Sequence, residues 1–139
     1  MILVDTNVIS EPLRKSSAAR VVDWIDAQPL ETLYLSAITV AELRFGVLSL
    51  SAGKRRDGLQ ESLERRVLPL FAGRVLAFDL PASKVYAELM VQARAAGQTI
   101  ASADGYIAAT ALANGMAVAT RDSAPFEAAG VSVINPWNA

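Results

Sequence analysis

A three-layer α/β fold with a central, mainly parallel sheet is predicted by two features of this sequence: short apolar runs of strand length, and between them longer segments whose apolar residues recur at helical spacing. Short strands apolar enough for both faces to be covered belong in a parallel sheet flanked by helices. The 139 residues contain no internal repeat, low-complexity tract or linker, and fit one domain spanning 1–139.

The elements follow in order. MILV, residues 1–4, is the first strand, and Asp5, Thr6 and Asn7 break it with side chains that favour turns and caps. Between Ala18 and Gln28, Val21, Val22 and Ile25 fall at helical spacing, and Pro29 closes the helix. TLYL, 32–35, is the second strand, and Val40, Leu43 and Val47 mark a helix from about Thr39 to Leu50. Over 54–70, Leu59, Leu63, Val67 and Leu70 share one face of an amphipathic helix disturbed near Pro69, with Glu61 and Arg65 paired at i,i+4. RVLAF, 74–78, reads as strand three. In the helix that starts at Pro81, Gly97 lies just past the end, and Val85, Leu89 and Ala93 form the buried stripe. An Ala-rich helix follows the loop QTIAS and ends at Asn114-Gly115, before the strand MAVAT, 116–120. FEAAG, 126–130, makes a short helix and VSVI, 131–134, a last strand.

Composition narrows the chemistry. Without cysteine there is neither a disulfide framework nor a thiolate zinc site, and without histidine the usual general base and the Ser-His-Asp triad are gone. Carboxylates and a hard metal ion are the remaining tools of a hydrolase. MILVDTNVIS lacks a signal peptide's basic start and no apolar run reaches membrane-spanning length, so a cytoplasmic protein is expected. The net charge is -1, and any nucleic-acid contact must come from a local patch. An apolar share of 53% and a mean hydropathy of +0.31 point to a surface covered by another chain.

Four acids are expected at one edge. Asp5 follows the first strand and Asp122 the MAVAT strand; Glu42 and Asp104 lie in the first turns of helices. In a parallel sheet all of these places lie at the carboxyl end. Each acid also has a plainer reading: Asp5 and Asp122 as caps, Glu42 in a capping box with Thr39, and Asp104 as a complement to its helix dipole. Glu42 and Asp104 have apolar sequence neighbours and few basic ones, so a buried, unpaired charge is expected at both, which a divalent ion would offset. Magnesium or manganese suits such an oxygen-only set. Lys54, Arg55, Arg56, Arg65 and Arg66 are interleaved with acids and read as a solvated face, and Trp24 and Trp137 as packing residues.

The motifs ILVDTNVI, ITVAELRFG, ADGYIAATA and VATRDSAPF, in that order, resemble the PIN-domain ribonucleases, specifically the VapC-type toxins of toxin-antitoxin pairs. The similarity runs from Ile2 to Trp137, and SEPLR, LPLFAGR and the NPW tail resemble the FitB-like branch. The resemblance implies a PIN-like α/β/α fold and an acidic quartet, Asp5, Glu42, Asp104 and Asp122, around one or two Mg2+ or Mn2+ ions. In it Asp5 and Asp104 are the principal ligands, Glu42 ligates through water or acts as base, and Asp122 completes or orients the set. Thr6 and Thr120 match positions that hydrogen-bond into the site, and Asn7 one that fixes the loop. Many toxins of the family continue TRN with an acid three residues later; here Asp122 takes the Asn position and Pro125 the later one, a shift shared by the FitB-like branch.

Also implied are a DNA-binding antitoxin whose tail occupies the active-site groove, an RNA substrate, operator DNA reached through the antitoxin, and a homodimer within a larger complex. Two functions stand: a metal-dependent endoribonuclease acting on single-stranded RNA, or a catalytically weak subunit that strengthens the antitoxin's hold on its operator. A phospho-acceptor receiver domain falls behind, since no lysine lies beyond Lys84. A haloacid-dehalogenase-like phosphatase would need an acid in place of Asn7.

Overall fold

The computed structural model describes residues Met1–Ala139 and contains the expected parallel sheet. Its strands are β1 (Ile2–Val4), β2 (Leu33–Ser36), β3 (Val75–Leu76), β4 (Ala117–Ala119) and β5 (Val133–Ile134), in the order β3-β2-β1-β4-β5. β1 is central: Leu3 pairs with Tyr34 on one side and Val118 on the other, and all strand pairs are parallel. The chain steps outward from β1 to β3, then crosses back to lay β4 against the free side of β1. That reversal opens a crevice at the carboxyl ends of β1 and β4.

Alternate strand residues point to opposite faces, and here both faces are apolar. Leu3 and Val118 join a core with Leu89, Ile107, Ala108 and Phe126, while Val4, Leu35 and Ala119 join a second core with Val8, Val40, Leu43 and Phe71. The first lies under α5 (Leu80–Ala95), α6 (Ser102–Ala113) and α7 (Ser123–Ala128). The second lies under α1 (Thr6–Ile9), α2 (Ala19–Ala27), α3 (Ala37–Leu48) and the segment that begins with α4 (Lys54–Ser62).

Several boundaries differ from expectation for local reasons. Asp5, Thr6 and Asn7 open α1, a helix of four residues too short to show periodicity, which Asp5 caps. α3 starts earlier than Thr39 because Ser36 is its cap, its Oγ accepting from the Thr39 N–H at 3.0 Å. The amphipathic helix over 54–70 is not continuous: after α4 the chain makes a π turn over Leu63–Val67 and a 3-10 turn over Leu68–Phe71. Pro69 has no N–H to continue the helical ladder, and the extra residue per turn still buries Leu63 and Phe71. Glu61 and Arg65 form no ion pair; the one made here joins Glu64 to Arg44 of α3, at 2.8 and 3.0 Å. Strand pairing at β3 covers two residues of the five expected, and at β5 two of four.

α6 packs against α5 closely because Gly105 has no side chain. A Cβ there would meet Met90 Sδ and Tyr86 Cε1, each at 2.9 Å. The Tyr86 ring has little room to retreat, as it stacks on Tyr106 at 4.7 Å and meets Phe78 edge-on at 5.9 Å. Gly105→Ala is therefore expected to lower stability by about 1 kcal/mol in urea unfolding, overpacking outweighing the helix propensity that alanine adds. A gain in stability would show that the α5–α6 contact yields.

Candidate active site at the carboxyl edge of the sheet

Asp5 leaves the end of β1 and is 4% exposed. Its backbone N–H continues the sheet ladder to the Ala119 carbonyl at 2.9 Å, so the carboxylate is set where β1 and β4 part. Oδ1 accepts from the Thr6 N–H and Oδ2 from the Thr120 hydroxyl, both at 2.8 Å. Thr120, fully buried at the end of β4, also accepts from the Asp122 N–H at 3.0 Å. Asn7 spans the same gap: its Nδ2 approaches Thr120 Oγ1 at 3.4 Å and its Oδ1 accepts from the Arg121 N–H at 3.2 Å. Asp5, Asn7 and Thr120 thus tie the β1 and β4 loops together.

On the β2 side, Thr6 Oγ1 donates to Glu42 Oε1 at 2.8 Å and lies 3.3 Å from the hydroxyl of Thr39. Thr39 and Ser36 are both buried and hydrogen-bonded to each other. The Thr39–Glu42 capping box does not form, because the hydroxyl that caps α3 belongs to Ser36. Ser36 contributes to this floor and was not singled out from the sequence; its signal was the Ser-x-x-Thr spacing at the end of a strand. Glu42 is exposed, against the expectation of burial. Of its apolar sequence neighbours, Val40 and Leu43 turn to the core, whereas Ala41 and Phe45 are exposed as Glu42 is.

Asp104 lies in the first turn of α6, half-buried, and Asp122 precedes α7, exposed, without making a side-chain cap bond. The acids interact through space. Burial pushes the Asp5 carboxyl up to about 6, with Asp104 and Glu42 adding to the rise and the bonds from Thr120 and Thr6 opposing it. Burial likewise raises Asp104, assisted by the charges of Asp122 and Glu42. No arginine or lysine pairs with any of the four; the ion pairs of the protein are Arg14–Glu11 and Arg44–Glu64. No three of the carboxylates converge into a ready-made metal cage. The arrangement is an open, oxygen-lined edge with an excess of negative charge.

Beside it, α1, α3 and α4 enclose a groove of about 320 Å³ that runs from Thr6 and Glu42 past Leu13, Leu43 and Leu59.

An acid with a raised folded-state pKa binds its proton more tightly folded than unfolded, so stability is lost as pH climbs from its unfolded value of 3.8 through about 6. In chelator, the urea stability of the protein is expected to fall by up to about 3 kcal/mol between pH 4 and 7, and Asp5→Asn to flatten that slope. A slope unchanged by the substitution would place the titrating group elsewhere.

The sequence matches the family model described as PIN domain over residues 2–131. It is 63% identical to "Plasmid stability protein StbB" of Pseudomonas syringae over all of both chains. It is also 63% identical to "VapC ribonuclease Y4jK" of Sinorhizobium fredii, over 99% of this chain and 98% of that one. Among solved structures, FitAcB from Neisseria gonorrhoeae superposes with a TM-score of 0.97 at 57% identity, covering 100% of both chains. FitAB bound to a DNA fragment, IR36, superposes with a TM-score of 0.96 at 57% identity, over 99% of this chain and 96% of that one. The chain therefore belongs to the PIN-domain family, in its VapC-like, FitB-like branch.

Proposed function

We propose that this protein is a metal-dependent endoribonuclease that hydrolyses phosphodiester bonds in single-stranded regions of RNA and is restrained by a cognate antitoxin. The observation that carries this reading is the gathering of Asp5, Glu42, Asp104 and Asp122 at the sheet's crevice with no cation paired to any of them, and with burial and mutual repulsion raising Asp5 and Asp104. The name of the Sinorhizobium relative, a VapC ribonuclease, supports RNA as the substrate.

The donor set is all oxygen, which suits Mg2+ or Mn2+; no three of the acids stand together as a cage, and such ions keep several waters and take few protein ligands. Asp5 and Asp104 would hold the ion, which when bound positions a phosphodiester oxygen, lowers the pKa of a water and offsets the developing charge. Glu42 has one oxygen engaged by Thr6, which leaves Oε2 to accept the proton of the attacking water or to reach the ion through a water. Thr120 and the Thr6 N–H keep both Asp5 oxygens in place, and Asp122, joined to Thr120 through its N–H, completes the set.

The groove beside Glu42 suits an antitoxin tail that is apolar along its length and basic where it meets the acids. Phe45 and Leu48, 75% and 57% exposed on α3, offer apolar surface to a second copy within a larger complex. No helix is long and apolar enough to cross a membrane, and the cytoplasm is the compartment proposed. A second reading draws on the FitAB structure with DNA: a catalytically weak subunit that strengthens the antitoxin's grip on an operator.

With the partner removed, the protein is expected to cleave a mixed-sequence single-stranded RNA in Mn2+ or Mg2+ and to stop when chelator is added. Asp104→Asn should slow cleavage roughly 100-fold or more. Mn2+ should raise the melting temperature of the wild type and not of the variant. Indistinguishable behaviour of wild type and variant in both metals would remove the nuclease reading and favour the operator-binding one, measured as DNA affinity of the complex.

A further inference from the structure

Arg121 stands between Thr120, which holds Asp5, and Asp122, yet it forms no ion pair with any acid. A flexible, exposed guanidinium beside uncompensated carboxylates would ordinarily be drawn onto them. That of Arg121 lies instead over Trp137, the guanidinium carbon 4.9 Å from the ring centroid, in cation–π contact. The tryptophan is itself anchored. Its side chain packs against the second core, its backbone N–H donates to Asn135 Oδ1 at 2.9 Å, and its carbonyl accepts from Arg20 Nη1 at 2.9 Å. The other end of Arg121 is fixed by its backbone N–H on Asn7 Oδ1, at 3.2 Å. None of its guanidinium donors is used within the protein. By strand order it lies on the opposite side of Asp5 from Glu42.

We infer that Arg121 binds a phosphate of the RNA strand flanking the one that is cut, and that Trp137 is a positioning residue that aims it. The inference rests on the ribonuclease reading above and adds the direction of the strand, from Arg121 across the acids toward Glu42. A planar fork with free donors on a rigid mount suits a phosphate, since less is lost in ordering it and two oxygens can be met at once. The charge also serves a second end: an acidic edge repels an RNA backbone, and a cation kept clear of the acids gives the strand a foothold beside them.

The test is steady-state cleavage of a single-stranded RNA oligonucleotide in Mn2+ by wild type, Arg121→Gln, Arg121→Lys and Trp137→Leu. It is joined by fluorescence-anisotropy binding of the same RNA, as a function of salt, to each in an Asp104→Asn background. Arg121→Gln is expected to raise KM about 10-fold with kcat within about 2-fold, and to reduce the log–log salt slope by about 0.7, one phosphate contact on a single strand. Arg121→Lys should keep the slope and recover part of the KM, and Trp137→Leu should raise KM and lose part of the slope, as the freed guanidinium is drawn onto the acids. An Arg121→Gln enzyme with unchanged KM and salt slope, or one that loses kcat alone, overturns the inference while leaving the nuclease reading intact. A wild type that neither cleaves nor binds RNA overturns both. Arg121 is exposed, so its two variants decide the matter even where melting shows Trp137→Leu to be unstable.

Discussion

The site depends on one costly placement, a carboxylate buried at the end of the central strand. Asp5 cannot move away, because its own N–H is part of the sheet and its side chain caps the helix that follows. It cannot be fully solvated either, since β4 and Thr120 close over it. Two hydrogen bonds offset part of the desolvation, and the residual strain appears as a carboxyl that holds its proton far above the usual range. A nonfunctional edge could place a neutral hydroxyl or amide there and be more stable. The proposed metal site accounts for that cost, since a cation arriving from outside would offset it.

The remaining acids extend this deficit. Glu42 is tied to Asp5 through Thr6, and Asp122 is tied to it through Thr120, so three acids share a short chain of hydroxyls and amides. Asp104 joins only through the field. Its position depends on packing: the close approach of α6 to α5 at Gly105 sets where the first turn of α6 ends up. Gly105 thus serves the site at one remove, since it lets α6 lie close on α5 with Asp104 beside it in the first turn.

How much of this the sequence carried depends on the range of each interaction. Asp5 and Asp122 were legible because strand ends are marked by a change from apolar to polar residues, and parallel topology gathers such ends at one edge. The stripe Val40, Leu43 and Val47 was legible for the same local reason. Glu42 lies on the expected edge but is exposed, because of its apolar neighbours along the chain only Val40 and Leu43 turn to the core while Ala41 and Phe45 face solvent with it. The π turn at Leu63 was not legible: Pro69 signals a break, but whether the chain kinks, stops or shifts register is settled by Leu63 and Phe71 finding the core. Arg44 and Glu64 come from different elements, and no local spacing announces their pairing.

A site with excess negative charge attracts any cation, and the fold separates three kinds by distance and direction. The oxygen atoms of Asp5 and Asp104 suit a small ion that can enter the crevice. The groove past Leu13 and Leu43 meets the acids from the Glu42 side, where a peptide with a basic group would neutralise them and exclude substrate at once. Arg121 is on the other flank, held against Trp137 and kept from collapsing onto its neighbours. If that arginine were free to fold inward, it would satisfy the acids, remove the demand for an ion and leave nothing to meet a phosphate. The tail that carries Trp137 completes the second core and, on the proposed role of Arg121, keeps one guanidinium free for the strand.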